Sequence, residues 1–207
     1  MVYQCLNSCT IRVFLRAYRD CTGSNFIGTN VNFVAQTPGC GQPQALGGWS
    51  TQVTTEVTPV CPGAPTRCTT PGAAINGVEE FFWYRDYNIC NVPNCIFTIT
   101  WTECCRNPSI TSLNNPGGQQ IATNATTLNT NIVPCNSSPQ FSNPPVPYIC
   151  QGQPFTFNQG AFDPEGDSLS YSLGPCYNTL PNTQVTYAAG FSQGSPLGAS
   201  WNVAINA

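Results

Sequence analysis

Histidine and lysine are both missing from this 207-residue chain. Without histidine, the usual general base and the usual nitrogen ligand for zinc are gone. Without lysine, Schiff-base chemistry and lysine–asparagine cross-links are excluded. Charge is scarce as well. Asp, Glu and Arg make up 7% of the residues, against about 25% in an ordinary globular protein. The balance is six basic to nine acidic residues, a net charge of −3, so no basic stripe is available for nucleic acid. No run approaches the 18 apolar residues that suggest a membrane-spanning helix. Helix-forming periodicity is almost absent. No basic patch and apolar stretch follow Met1, so an exported chain of this kind is expected to be a mature or trimmed piece of something larger.

What fills these gaps is cysteine, proline, glycine, asparagine, threonine and serine. Thirteen cysteines at this length are typical of an oxidising compartment. Their spacings are not those of zinc knuckles: Cys5 and Cys9, Cys61 and Cys68, Cys90 and Cys95, and the adjacent Cys104 and Cys105. Disulfides are therefore expected. The local candidates are Cys61 with Cys68 and Cys90 with Cys95, while Cys104 and Cys105 are expected to reach two different partners. An odd total leaves at least one thiol free or bonded to another chain. The neutral, amide-rich surface also offers little like-charge repulsion against association with copies of itself.

The 19 prolines and 18 glycines punctuate short runs rich in Val, Ile, Thr and aromatics. These are strand signals. They cover Thr10–Tyr18, Val31–Ala35, Ser50–Val57, Glu80–Tyr87, Cys95–Thr102, Gln120–Leu128, Pro154–Asn158, Ser168–Leu173 and Gln184–Ala188. In Thr10–Tyr18, Ile11, Val13, Leu15 and Ala17 alternate with Arg12, Phe14, Arg16 and Tyr18, which predicts an aliphatic core face and an arginine-bearing outer face. Many short strands of this kind predict an all-β sandwich or barrel. The proline-rich segment Cys135–Tyr148 reads as an extended connector, which places a boundary between domains 1–134 and 135–207.

Several stretches resemble a module of very large secreted surface proteins of the Bacteroidota. They are Val2–Gly23, Thr55–Gly63, Gly77–Trp83, Phe97–Gln119, Cys135–Leu173 and Val185–Leu197, and the most specific are WTECCRN and DPEGDSLSYSL. Such proteins are often described as PKD-domain or gliding-motility-associated and leave the cell by type IX secretion. The resemblance implies two disulfide-stapled β-sandwiches of the Ig/PKD kind, the second PKD- or cadherin-like and incomplete at its C-terminus. It also implies an extracellular or cell-surface location and an adhesive or fibre-forming role with no enzymatic activity. Cys9, Cys90 and Cys176 depart from the pattern.

Three smaller motifs carry further expectations. Asp163, Glu165 and Asp167 lie within five residues and could hold calcium, as in the Asp-rich strand entries of cadherin-like domains. The competing reading is a turn begun by Asp163-Pro164 with Gly166 at positive φ. Ser168, within Asp167-Ser168-Leu169, matches a bacterial O-glycosylation signal. The run Phe81–Tyr84 could stack on sugars, but strand alternation predicts that Phe81 and Trp83 share one face and Phe82 and Tyr84 the other. Glu79, Glu80 and Glu103 are the carboxylates a glycosidase would need, but nothing in the sequence brings them together.

The sequence thus predicts an extracellular structural or adhesive protein. Its partners are expected to be copies of itself or neighbouring modules of a longer chain, with no cofactor beyond calcium. The alternative is a carbohydrate-binding module, or an accessory domain of a secreted enzyme, with surface glycans as its ligand.

Overall fold

The structure is a computed structural model, and it describes residues 1–24, 30–127, 135–146, 154, 156–179 and 183–198. It is all-β, as expected. Among the described residues the one helical feature is a single 3-10 turn, Pro116–Gly118.

The strands are β1 (Val2–Asn7), β2 (Thr10–Asp20), β3 (Val31–Ala35), β4 (Gln44–Leu46), β5 (Val53–Glu56), β6 (Val78–Asn88), β7 (Phe97–Glu103), β8 (Ile121–Thr126), β9 (Gln140–Phe141), β10 (Ala161–Phe162), β11 (Tyr177–Thr179) and β12 (Thr183–Gln184). One antiparallel sheet runs β1-β2-β6, with β4 and β5 sharing the far edge of β6. A second runs β3-β7-β8. The β2–β6 ladder is unbroken from Thr10↔Asn88 to Asp20↔Val78.

The two sheets face each other across one core. Ile11 and Val13 of β2 and Tyr87 of β6 pack with Phe33 of β3 and Phe97 and Ile99 of β7. Leu15, Ala17, Phe81, Trp83 and Trp101 continue it toward the other end. Val13, Leu15, Phe97 and Ile99 are fully buried. The period-2 pattern explains this directly: the aliphatic side of β2 points inward, and Phe97, Ile99 and Trp101 face it from β7.

Most of the disulfides have a cysteine just beyond a strand end, while Cys5 lies within β1. Cys9–Cys90 closes one end of the β2–β6 ladder, and Cys21–Cys68 closes the other. Cys40–Cys95 joins the segment after β3 to the approach to β7. Cys5–Cys135 ties β1 to the later part of the chain. The expected pairings Cys61–Cys68 and Cys90–Cys95 are therefore replaced. Sheet register brings Cys9 to Cys90 and the β2 terminus to Cys68, whatever the loop spacing. Gly77 permits the second contact, because a Cβ there would collide with the Cys68 sulfur. Cys104 and Cys105 are bonded to each other rather than to separate partners. Their α-carbons lie 3.1 Å apart at the end of β7, so adjacency in the chain places each beside the other. Cys61 and Cys176 are thiols, and Cys150 lies outside the described residues. Two of the three cysteines that depart from the resembled pattern, Cys9 and Cys90, are thus partners of one another.

After Cys135 the described strands are two or three residues long: β9 pairs with β10, and β11 with β12. The expected strand Ser168–Leu173 is not formed, and neither are the described residues of Pro154–Asn158. The expected connector is bonded to the first sheet. The Tyr3 N–H donates to Ser138 Oγ at 2.8 Å, the Ser138 N–H donates to the Tyr3 carbonyl at 3.0 Å, and the Cys5 N–H donates to Ser137 Oγ at 3.1 Å.

Candidate functional site

The outer face of β2 and β6 is a ladder of arginines, carboxylates and rings. In register, Arg12 lies opposite Asp86, Phe14 opposite Tyr84, Arg16 opposite Phe82 and Tyr18 opposite Glu80. Arg12 makes a two-pronged ion pair with Asp86 at 2.7 and 2.9 Å. Arg16 donates to Glu80 at 2.8 Å, and Tyr18 donates its hydroxyl to the same Glu80 oxygen at 2.8 Å. Burial and that bond to Glu80 push the Tyr18 phenol up to about 12. Guanidinium groups also cover the rings: Arg12 lies 4.4 Å from the Tyr84 centroid and Arg16 4.6 Å from that of Phe82. Phe82 and Tyr84 are outward and Phe81 and Trp83 are buried, as the alternation predicts. Their outward ring faces are occupied by the chain's own arginines.

The remaining arginines bond to carbonyls. Arg67 donates to Ala73, Arg85 to Gly47, and Arg106 to Tyr177 at 3.0 Å. Glu79 pairs with Arg19. Glu103 stands at the end of β7, in the other sheet, and accepts from the Cys104 N–H. Glu79 and Glu80 are thus each committed to an arginine on β2.

The Asp163–Asp167 loop is a tight turn. The Asp163 carboxylate accepts from the backbone N–H groups of Glu165 at 2.9 Å and Asp167 at 3.1 Å. Gly166 sits at φ +86°, and its N–H reaches the Asp163 carbonyl at 3.2 Å. Glu165 accepts from both the N–H and the hydroxyl of Ser137, at 3.1 and 2.8 Å. Asp167 accepts from Asn136 at 3.4 Å. Each carboxylate has an internal partner. Among the described residues, no group of three or more side chains is arranged to hold a metal ion. Ser168 beside the turn is exposed.

A groove of about 690 Å³ opens on the flank of the two sheets. Its walls are the start of β1, the far half of β2, Trp101 and Ile121 of the second sheet, and the segment Phe141–Pro145. Most of that lining is apolar. Sequence reasoning missed this feature because it depends on β1, whose VYQCLN run lacks a clean alternation. The available signal was the length mismatch between this short run and the long β2 beside it.

No family model matches the chain, and no curated protein or solved structure matches it. No helix among the described residues is long and apolar enough to cross a membrane.

Proposed function

We propose that this chain is an extracellular structural or adhesive module, part of a bacterial surface fibre or of a large adhesin. The observation that carries this reading is the set of five disulfides. Four of them lock strand ends or tie the later segment to β1, a way of stabilising a β body that requires an oxidising environment. The surface fits the same role: charges are few and largely paired within the chain, so association meets little long-range repulsion. In this reading the described body is one Ig/PKD-like sandwich, and the residues after 135 belong to a second unit.

A carbohydrate-binding role is the weaker alternative. Its aromatic platform would be Phe82 and Tyr84, and Arg16 and Arg12 cover those rings. The test is surface labelling of the producing cells. An impermeant thiol reagent, reacting at the exposed Cys61, and external protease should both reach the protein on intact cells. Its mass should match five intact bridges before reduction. A cytoplasmic location, or reduced thiols at the ten bridge positions, would refute the reading.

A further inference from the structure

The first sheet has an open edge whose location follows from hydrogen-bond parity. β1 lies against β2 from Asn7↔Thr10 only as far as Val2↔Phe14, whereas β2 continues to Asp20. The Tyr3 and Cys5 amides turn away from β2 toward Ser138 and Ser137. In an antiparallel ladder, bonding and non-bonding residues alternate. Val2 and Gln4 are therefore the residues of β1 that bond β2, and Phe14 and Arg12 are their partners. The far side gives the same parity: opposite Phe14, the Tyr84 N–H donates to Ser50 Oγ and the Tyr84 carbonyl accepts from the Ser50 N–H, both on the side away from β2. Stepping along β2 by twos, the backbone N–H and C=O groups of Arg16 and Tyr18 project over the same edge, past the end of β1. Among the described residues no strand meets them there.

The groove lies along this stretch. Arg16, Ala17 and Tyr18 form one side, and Trp101, Ile121 and Phe141 stand among the apolar residues opposite. An open ladder beside an apolar trough is the acceptor geometry for an added strand: main-chain bonds supply affinity, and alternate side chains fill the trough.

We propose that the groove accepts the segment Ser200–Ala207 of a second copy of this chain, as a strand continuing the line of β1. The proposal rests on the fibre reading above and names its joint. The sequence SWNVAINA alternates Trp201, Val203 and Ile205 with Asn202, Ala204 and Asn206. It has no proline, so every residue can donate to a ladder, and no charge to be desolvated. Its apolar set suits the floor at Ala17, Trp101 and Ile121, and its amides suit the rim beside Arg16 and Tyr18. The clearest other alternating runs, Ile11–Ala17 and Ile96–Thr102, are already consumed by β2 and β7. Donor and acceptor are different surfaces, so the contact is head-to-tail and propagates as a filament when each copy donates to the next rather than back to its own donor.

The test uses the full oxidised chain, a variant lacking residues 200–207, and Val203→Pro, which removes a ladder donor from the segment. Light scattering of the wild type should show mass rising with concentration, and electron microscopy should show filaments. Both variants should remain monomeric with all five bridges intact. A fluorescent SWNVAINA peptide should bind the truncated chain at least tenfold more tightly than its Val203→Pro counterpart. Arg16→Pro, at the acceptor edge, should weaken peptide binding similarly, and its circular dichroism reports whether the sheets persist. A monomeric wild type whose truncated form binds the peptide would show the segment filling its own groove, and would overturn exchange between copies. Filaments that persist in the truncated form, or a peptide that binds neither chain, would also overturn the proposal. Surface labelling of cells is read separately, so a surface-located monomer would sink this joint and leave the extracellular reading standing.

Discussion

All but one of the buried hydrophobic side chains described in this protein lie before residue 128, and the exception is Val185. After Cys135, Phe141, Phe162, Tyr171, Leu173 and Leu197 stand exposed, Phe141 at 56% and Phe162 at 51%. The earlier region holds itself together by two sheets sharing a core. The later region is held by bonds to the earlier one. Cys135 is bridged to Cys5, Ser137 and Ser138 bond to β1, and Gln119 bonds the backbone of Thr186 through both ends of its amide. Arg106 reaches Tyr177 and the thiol of Cys176. Among the described residues, the later region buries little apolar surface, the main driving force for independent folding. What the described residues show holding it is a set of polar and covalent anchors to the sheets.

Cutting the covalent anchor should give the largest effect. Replacing Cys5 and Cys135 together by serine opens a loop closed across 130 residues, and the chain-entropy model assigns such a closure about 5 kcal/mol. Hydrogen exchange should show residues 135–198 losing protection while β2, β6 and β7 keep theirs. Equal loss in both regions would break the comparison, because it would mean that one cooperative unit spans them.

A second contrast sets two phenylalanines against each other. Phe97→Ala removes a ring with no exposed surface from the centre of the core and should cost roughly 3–5 kcal/mol in urea unfolding. Phe162→Ala removes a half-exposed ring from β10 and should change stability by about 0.5 kcal/mol or less. A large loss at Phe162 would indicate a core in the later region that the described residues do not show.

The same contrast governs how much the sequence reveals. β2, β3, β6 and β7 are legible because apolar residues alternate strictly in TIRVFLRAY, where one face is buried and the other is not, and in FTITW, where threonines alternate with large apolar residues although both faces are buried. Their boundaries shift by no more than a few residues. β1 and β4 are illegible. The first is short and broken by Cys5, and the second is three residues long, so each takes its place from the neighbour it pairs with. The strands expected after 150 fail for the opposite reason: β-branched and aromatic residues are present, but among the described residues no opposing layer buries them. Disulfide pairing is set by register between distant strands. Cys9 meets Cys90 because Thr10 lies opposite Asn88, a fact that no local spacing carries. The acidic turn, by contrast, is written in its residues, since Asp163 and Gly166 do there what those residue types do in turns generally.

Smaller effects should come from the polar anchors. Ser137 is buried, accepts from the Cys5 N–H and donates to Glu165. Ser137→Ala orphans a backbone donor and should cost roughly 1–3 kcal/mol, felt by β1 and the 163–167 turn together. Glu165→Gln keeps the shape and should cost less. Asp163→Ala removes the acceptor of two backbone amides and should loosen the turn by about 1 kcal/mol. Since Asp163, Glu165 and Asp167 each have internal partners, millimolar calcium or EDTA should leave the melting temperature unchanged. A calcium-dependent rise of several degrees would show that these carboxylates exchange their partners for the ion.

The smallest expected effect tests whether the outer ladder belongs to the cooperative unit of the two sheets. The Tyr18 phenol is raised from 10.0 to about 12, chiefly by burial and then by its bond to Glu80. A phenol that titrates higher in the folded state favours folding while it is protonated. Its contribution is therefore complete below pH 10 and is lost as pH rises through 12. Tyr87 is raised too, by burial, and adds a slope of the same sign. In Tyr18→Phe the hydroxyl and its proton linkage are both gone. At pH 8 the variant should be slightly less stable than the wild type, for want of the bond to Glu80. As pH rises from 10 to 12 the two stabilities should converge, leaving the common slope from Tyr87. Urea unfolding read by near-ultraviolet circular dichroism, which follows the buried Trp83 and Trp101, measures this at each pH. Parallel curves across that range would mean that the outer face of β2 opens before the sheets do. The arginine ladder would then lie outside the cooperative unit of the core it covers.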